Sequence, residues 1–140
     1  MYRTLTNKEI STLQSRGCTA DDWNNISVSE GFNPQKYSNV RFSGAIRLGA
    51  SDREFCLPGG YIVSASLSNV ALHNVSLADN VYIHNVANYI ANYNIGSGTF
   101  IENVNRIVCT GGATFGVGTE VSVLNETGGR EVPIYPRLSA

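Results

Sequence analysis

Asn69-Val70-Ala71-Leu72-His73-Asn74-Val75-Ser76-Leu77-Ala78-Asp79-Asn80-Val81-Tyr82-Ile83-His84-Asn85-Val86 carries four Asn-Val dipeptides at successive spacings of five, six and five residues. Two further copies, at Asn39 and Asn103, make six in the chain. Beside them run pairs of residues two apart: Val75/Leu77, Val81/Ile83, Ala87/Tyr89, Tyr93/Ile95, Thr99/Ile101 and Asn105/Ile107, each pair six residues after the last. An amphipathic helix repeats about every 3.6 residues and a flat strand every 2, so a pair every six fits neither. It predicts short inward-facing strands separated by corners. Three such sides close a coil of 18 residues, the interval between Asn85 and Asn103. Equivalent corners would then stack at about 4.8 Å. Asparagine suits them, because it hydrogen-bonds along a stack and tolerates left-handed backbone angles.

Working outward, Val40/Phe42 and Ile46/Leu48 extend the sixes backward, and Ser51-Asp52-Arg53-Glu54 reads as an inserted loop. Ala65/Leu67 and Val70/Leu72 follow at five, and Phe115/Val117 and Val121/Val123 resume after a Gly-rich break. At the start, Thr6-Asn7-Lys8-Glu9 forms a capping box, with Ile10 and Leu13 as an apolar stripe and Arg16-Gly17 as a stop. Asp21-Asp22-Trp23 starts a second short helical turn, and Ile26-Ser27-Val28 alternates like a strand. The expectation is an all-β solenoid with a short α-helical N-terminal cap over residues 1–38, the repeat over 39–124, and a polar loop with a truncated C-terminal segment over 125–140, in one structural domain.

The cadence of Leu77-Ala78-Asp79-Asn80-Val81-Tyr82 and Ile95-Gly96-Ser97-Gly98-Thr99-Phe100 resembles the hexapeptide-repeat superfamily. That resemblance implies a left-handed parallel β-helix. The five-residue steps keep a competing reading open, the right-handed four-sided helix of pentapeptide repeats. Tyr2-Arg3-Thr4-Leu5-Thr6, Gly17-Cys18-Thr19-Ala20-Asp21-Asp22-Trp23, Asn88-Tyr89-Ile90-Ala91-Asn92-Tyr93 and Asn125-Glu126-Thr127-Gly128-Gly129-Arg130-Glu131-Val132-Pro133 look like the start of a larger bacterial family of unknown function. The latter resemblance implies that these residues form the amino-terminal part of a longer chain.

With 10 basic and 11 acidic residues in 140, the chain has no footprint for nucleic acid or for an anionic membrane. The three cysteines, Cys18, Cys56 and Cys109, are widely spaced and odd in number, which favours reduced thiols and a cytoplasmic location. No apolar stretch is long enough to span a bilayer. Between Glu54 and Glu102 the only carboxylate is Asp79, and there is no Lys or Arg. So uncharged a third of the chain either displays polar ladders of Asn, Ser and His or packs against something, a subunit interface among the choices.

Superfamily enzymes are mostly acyltransferases acting on sugars, amines or amino acids, with a histidine between subunits as general base; that implied role falls here on His73 and His84. A neutral imidazole suits such work, but polar corner-filling is the plainer reading of both, and their separation of 11 residues, unlike a coil of 18, puts them on different sides. Acyl donors with several phosphates call for cations, and no basic residue lies between Glu54 and Asn105. The densest polar cluster is Asn125, Glu126, Arg130 and Glu131 around a Gly pair, a candidate ligand site for a sugar or small metabolite. No zinc spacing and no cofactor motif is present, so neither metal nor cofactor is expected. Two readings result: a non-catalytic scaffold that self-associates, with a trimer in view, or docks the rest of a longer chain; and a transferase-like enzyme modifying sugars or metabolites.

Overall fold

In the computed structural model every asparagine of the six Asn-Val dipeptides has a left-handed backbone, with φ between 50° and 61°. Asn92 joins them at 55°. The structure describes residues 1–110, 120–122 and 131–133, in two units, Met1–Cys109 and Thr110–Ala140.

The first unit begins with β1 (Tyr2–Thr4), α1 (Asn7–Ser15), β2 (Thr19–Ala20), a 3-10 turn (Trp23–Asn25), β3 (Ile26–Ser29) and a second 3-10 turn (Pro34–Lys36). It continues through β4 (Tyr37–Leu48), β5 (Glu54–Leu57), β6 (Tyr61–Ser64), β7 (Leu67–Leu77), β8 (Tyr82–His84), β9 (Ile90–Ile95), β10 (Phe100–Glu102) and β11 (Ile107–Val108). In the second unit, β12 (Glu120–Ser122) and β13 (Glu131–Pro133) pair antiparallel, with Val121 opposite Val132.

The left-handed residues explain how strands as long as β4 and β7 serve a single core. Alternation alone would point Tyr37 and Val40 to opposite faces. Asn39, at φ 51°, turns the chain between them, and both are buried. Asn69 and Asn74 do the same in β7, so that Leu67, Val70, Leu72, Val75 and Leu77 are all buried. Parallel register then sets Tyr37 beside Leu67, Val40 beside Val70, Phe42 beside Leu72 and Leu48 beside Leu77. At Gly44, φ 66°, a Cβ would overlap the Asn74 side chain, whose Oδ1 accepts from the Ala45 N–H at 2.9 Å. Only glycine fits that crossing.

The solenoid expectation, and with it the left-handed parallel β-helix, is overturned by the strand pairing. The main sheet has nine strands in mixed orientation, ordered β1-β3-β4-β7-β8-β10, with β2 on β4 and β9 and β11 branching from β7. β1 runs antiparallel to β3. Partners are 30 residues apart at Tyr37/Leu67, 16 at Leu67/Ile83 and 18 at Tyr82/Phe100, so no constant coil of 18 exists. Among the described residues there is one α-helix and no closed barrel. Bent strands of one sheet cover a common core in a sandwich-type arrangement. The six-residue cadence fixes where the chain bends, whereas pairing partners depend on what lies between. The β5–β6 antiparallel hairpin separates β4 from β7 and lengthens that step.

The inward pairs hold from Val40/Phe42 through Val81/Ile83. Beyond them, Ala87 and Tyr89 are exposed, and Val86 and Ile90 take the buried places. Tyr93 keeps its register opposite Val75 but is 43 % exposed.

Residues 1–38 supply strands as well as a helix. The expected capping box is present: Thr6 Oγ1 accepts from the Glu9 N–H at 3.3 Å, and Glu9 Oε2 accepts from the Thr6 N–H at 2.8 Å. Arg3 also grips the Glu9 carboxylate, at 2.9 and 2.7 Å. Leu13 buries the helix against a core in which Phe32, Tyr37, Phe42 and Trp23 form edge-on and tilted aromatic contacts.

Two predictions follow from this geometry. Asn69→Ala should destabilise by about 2 kcal/mol, because alanine is strained at φ 56° and loses the amide contacts; Asn69→Gly should cost less, as read by urea denaturation. The Arg3 guanidinium holds the Glu9 carboxyl down at about 2, assisted by Thr6. The ionised form is favoured by folding, so its stabilisation is complete above the usual carboxylate range and is lost as pH falls through about 2. Glu9→Gln should cost about 1 kcal/mol at neutral pH, with the difference from wild type vanishing in strong acid.

Candidate functional site

The stretch Ser64-Ala65-Ser66-Leu67-Ser68 alternates hydroxyl and apolar residues, with Ala65 and Leu67 buried and the serines turned outward. Register extends this into a polar row across β4, β7, β8 and β10: Ser38 beside Ser68, Ser68 beside His84, His84 beside Glu102. Above one end of the row sits the Pro34–Lys36 turn, capped by Asn33 Oδ1 accepting from the Gln35 N–H at 3.0 Å. Arg16, the C-cap of α1, donates from Nε to the Tyr37 carbonyl at 2.8 Å and from Nη1 to Gln35 Oε1 at 3.5 Å. Between turn and row lies a cleft of about 360 Å³ with Arg16, Lys36, the serines and His84 in its walls.

His84 is positioned from two sides. Its ring stacks on Tyr82 at 4.0 Å, and Tyr82 stacks in turn on Phe100 at 4.3 Å. Its Nε2 lies 2.8 Å from Ser66 Oγ, which also lies 2.9 Å from the Ser64 carbonyl. A carbonyl only accepts, so the hydroxyl proton satisfies Ser64 and the His84 Nε2–H donates to Ser66. Burial lowers the His84 pKa, against the pull of the Glu102 charge. Ser66, His84 and Glu102 therefore do not form a nucleophile, base and orienter: Nε2 is a donor, and Glu102 acts on the ring through charge without a hydrogen bond.

His73 lies in a different row, beside Ser43 and Ala91. The Ala45 N–H fixes Asn74 Oδ1, which turns the Asn74 amide nitrogen toward His73 Nε2 at 3.2 Å. Nε2 accepts, and Nδ1 donates to Ser43 Oγ at 2.8 Å. Both ring nitrogens are held within the sheet. The two histidines thus do not share a cleft, while Asn125, Glu126 and Arg130 lie outside the described residues and Glu131 begins β13.

Sequence reasoning found His84 but missed Arg16, Lys36 and the serines. The missing cations of the central third come from the first 38 residues, brought over the row by the β4–β7 register. The Ser-x-Ser-x-Ser alternation was the available signal; the register was not. Among the described residues, no group of three or more His, Cys, Asp or Glu is placed to hold a metal ion, and no helix is long and apolar enough to cross a membrane.

Fold and cleft together define a mixed-sheet module with a cationic, hydroxyl-lined groove. The chain belongs to the family described as a domain of unknown function (DUF4954), which matches residues 2–140. It is similar to an uncharacterised protein of Treponema pallidum (strain Nichols), 28 % identical over 142 residues. That match takes in 94 % of this chain and 20 % of the relative, so the chain spans about a fifth of the relative's length. No solved structure matches. The expected family of unknown function is borne out at this level. The hexapeptide-repeat resemblance goes no further than cadence, and the transferase expectation loses the fold on which it rested.

Because folding favours neutral His84, its contribution is complete above about pH 6.5 and is lost as pH falls through that value toward the lowered one. The melting temperature of wild type should therefore drop more between about pH 7.5 and 5 than that of His84→Asn. Parallel curves would contradict the assignment.

Proposed function

We propose that the Met1–Cys109 unit is a non-catalytic scaffold through which a longer protein self-associates. The observation that carries this reading is the aromatic surface around β9, where Tyr93 is 43 % exposed. Tyr89 and Phe100, each 38 % exposed, add aromatic surface in a third of the chain whose one carboxylate is Asp79 and which has no Lys or Arg. Aromatic surface with few charges is the composition of an interface core. The histidine geometry favours the same reading, since His73 is held at both nitrogens by its neighbours and His84 Nε2 by Ser66.

Light scattering on a size-exclusion column tests it. The 140-residue chain should elute as an oligomer at micromolar concentration, a trimer being one form. Tyr93→Lys should shift the mass to that of a monomer without lowering the melting temperature. A wild-type monomer at every concentration would reject self-association.

A further inference from the structure

We propose that the cleft between the Pro34–Lys36 turn and the Ser64–Ser68 segment binds a small phosphate monoester. The first ground is charge. Arg16 and Lys36 stand in the cleft wall and no carboxylate does, in a chain whose net charge is -1. Among the described residues neither cation is in an ion pair, the ion pair there being Arg3 with Glu9. Two like charges brought to one cleft repel each other, and an anion between them reverses the sign of that interaction.

The second ground is the donor set. Arg16 is anchored through Nε on the Tyr37 carbonyl, which fixes the plane of the guanidinium and leaves Nη2 without a partner among the described residues. Ser38 and Ser68 are register neighbours, and neither hydroxyl hydrogen-bonds to another described residue, so both can donate to a phosphoryl oxygen. Guanidinium, ammonium and hydroxyl groups together are the usual complement for phosphate. Ser66 is already committed to Ser64 and His84 and forms the floor. The third ground is size: about 360 Å³ exceeds a bare oxyanion and suits a phosphate carried on a sugar-sized group.

Isothermal titration of the 140-residue chain with glucose 6-phosphate, inorganic phosphate and glucose tests the site independently of oligomeric state. The phosphate ester should bind with a dissociation constant of about 1 mM or tighter, inorganic phosphate should bind more weakly, and glucose should give no heat. Lys36→Gln should weaken the ester about tenfold, and Ser68→Ala should weaken it by less. Both side chains lie outside the core, so the melting temperature should stay at the wild-type value. Arg16→Lys should also weaken binding, with melting followed in parallel because Arg16 holds the Tyr37 carbonyl. No binding of the ester at about 10 mM, equal binding of glucose, or an unchanged constant in Lys36→Gln would overturn the proposal.

Discussion

The structure depends on asparagines that hold a left-handed backbone and hydrogen-bond to each other from strand to strand. Asn39 Nδ2 donates to Asn69 Oδ1 at 2.8 Å, and Asn69 Nδ2 donates to Asn85 Oδ1 at 2.9 Å. A non-glycine residue in this conformation costs on the order of 1–2 kcal/mol, less for asparagine than for most. A side-chain amide bond returns about 1 kcal/mol, so the ladder roughly offsets the strain it creates. The net stabilisation comes from what the bend permits. Each turned residue redirects the next apolar side chain inward, and each buried Val, Leu or Ile contributes about 1.5–3 kcal/mol. The amide ladder is the means and the core is the gain.

Asparagine side chains also reach past their own row to fix the loops. Asn80 Oδ1 accepts from the N–H groups of Asp52 and Arg53, both at 3.0 Å, which secures the approach to the β5–β6 hairpin. Asp79 does the same for Ala50 at 2.8 Å. Through its two contacts Asn80, one of the residues that bend the chain, also anchors the hairpin leading into the Ser64–Ser68 row. The cleft and the stacked rings of Tyr82, His84 and Phe100 are both consequences of where the sheet turns.

Much of this was legible in the sequence at the level of single residues. The left-handed corners at Asn-Val, the inward pairs from Val40 to Ile83, the Thr6–Glu9 capping box and the polar placement of both histidines could be read from spacing and side-chain chemistry. Strand pairing could not. A six-residue cadence specifies the local turn, but the 30-residue step from Tyr37 to Leu67 and the antiparallel docking of β1 on β3 depend on the whole chain. The cleft shares that limit. Arg16 and Lys36 are remote from Ser68 and His84 in sequence and meet them only through the β4–β7–β8 register. Tyr89 and Tyr93 failed as inward residues: Val86 and Ile90 are buried where Ala87 and Tyr89 were expected, and Tyr93 stays exposed.

The central claim is that asparagine corners, tied by their own amides, set the path of the sheet. Nuclear magnetic resonance of the isotope-labelled chain tests it most directly, through backbone couplings that report φ and exchange of side-chain amide protons with solvent. The account predicts positive φ at Asn39, Asn69 and Asn85, with the Asn39 and Asn69 amide protons exchanging far more slowly than those of exposed Asn24. Extended backbone at those positions, or amide protons that exchange as freely as those of Asn24, would contradict it.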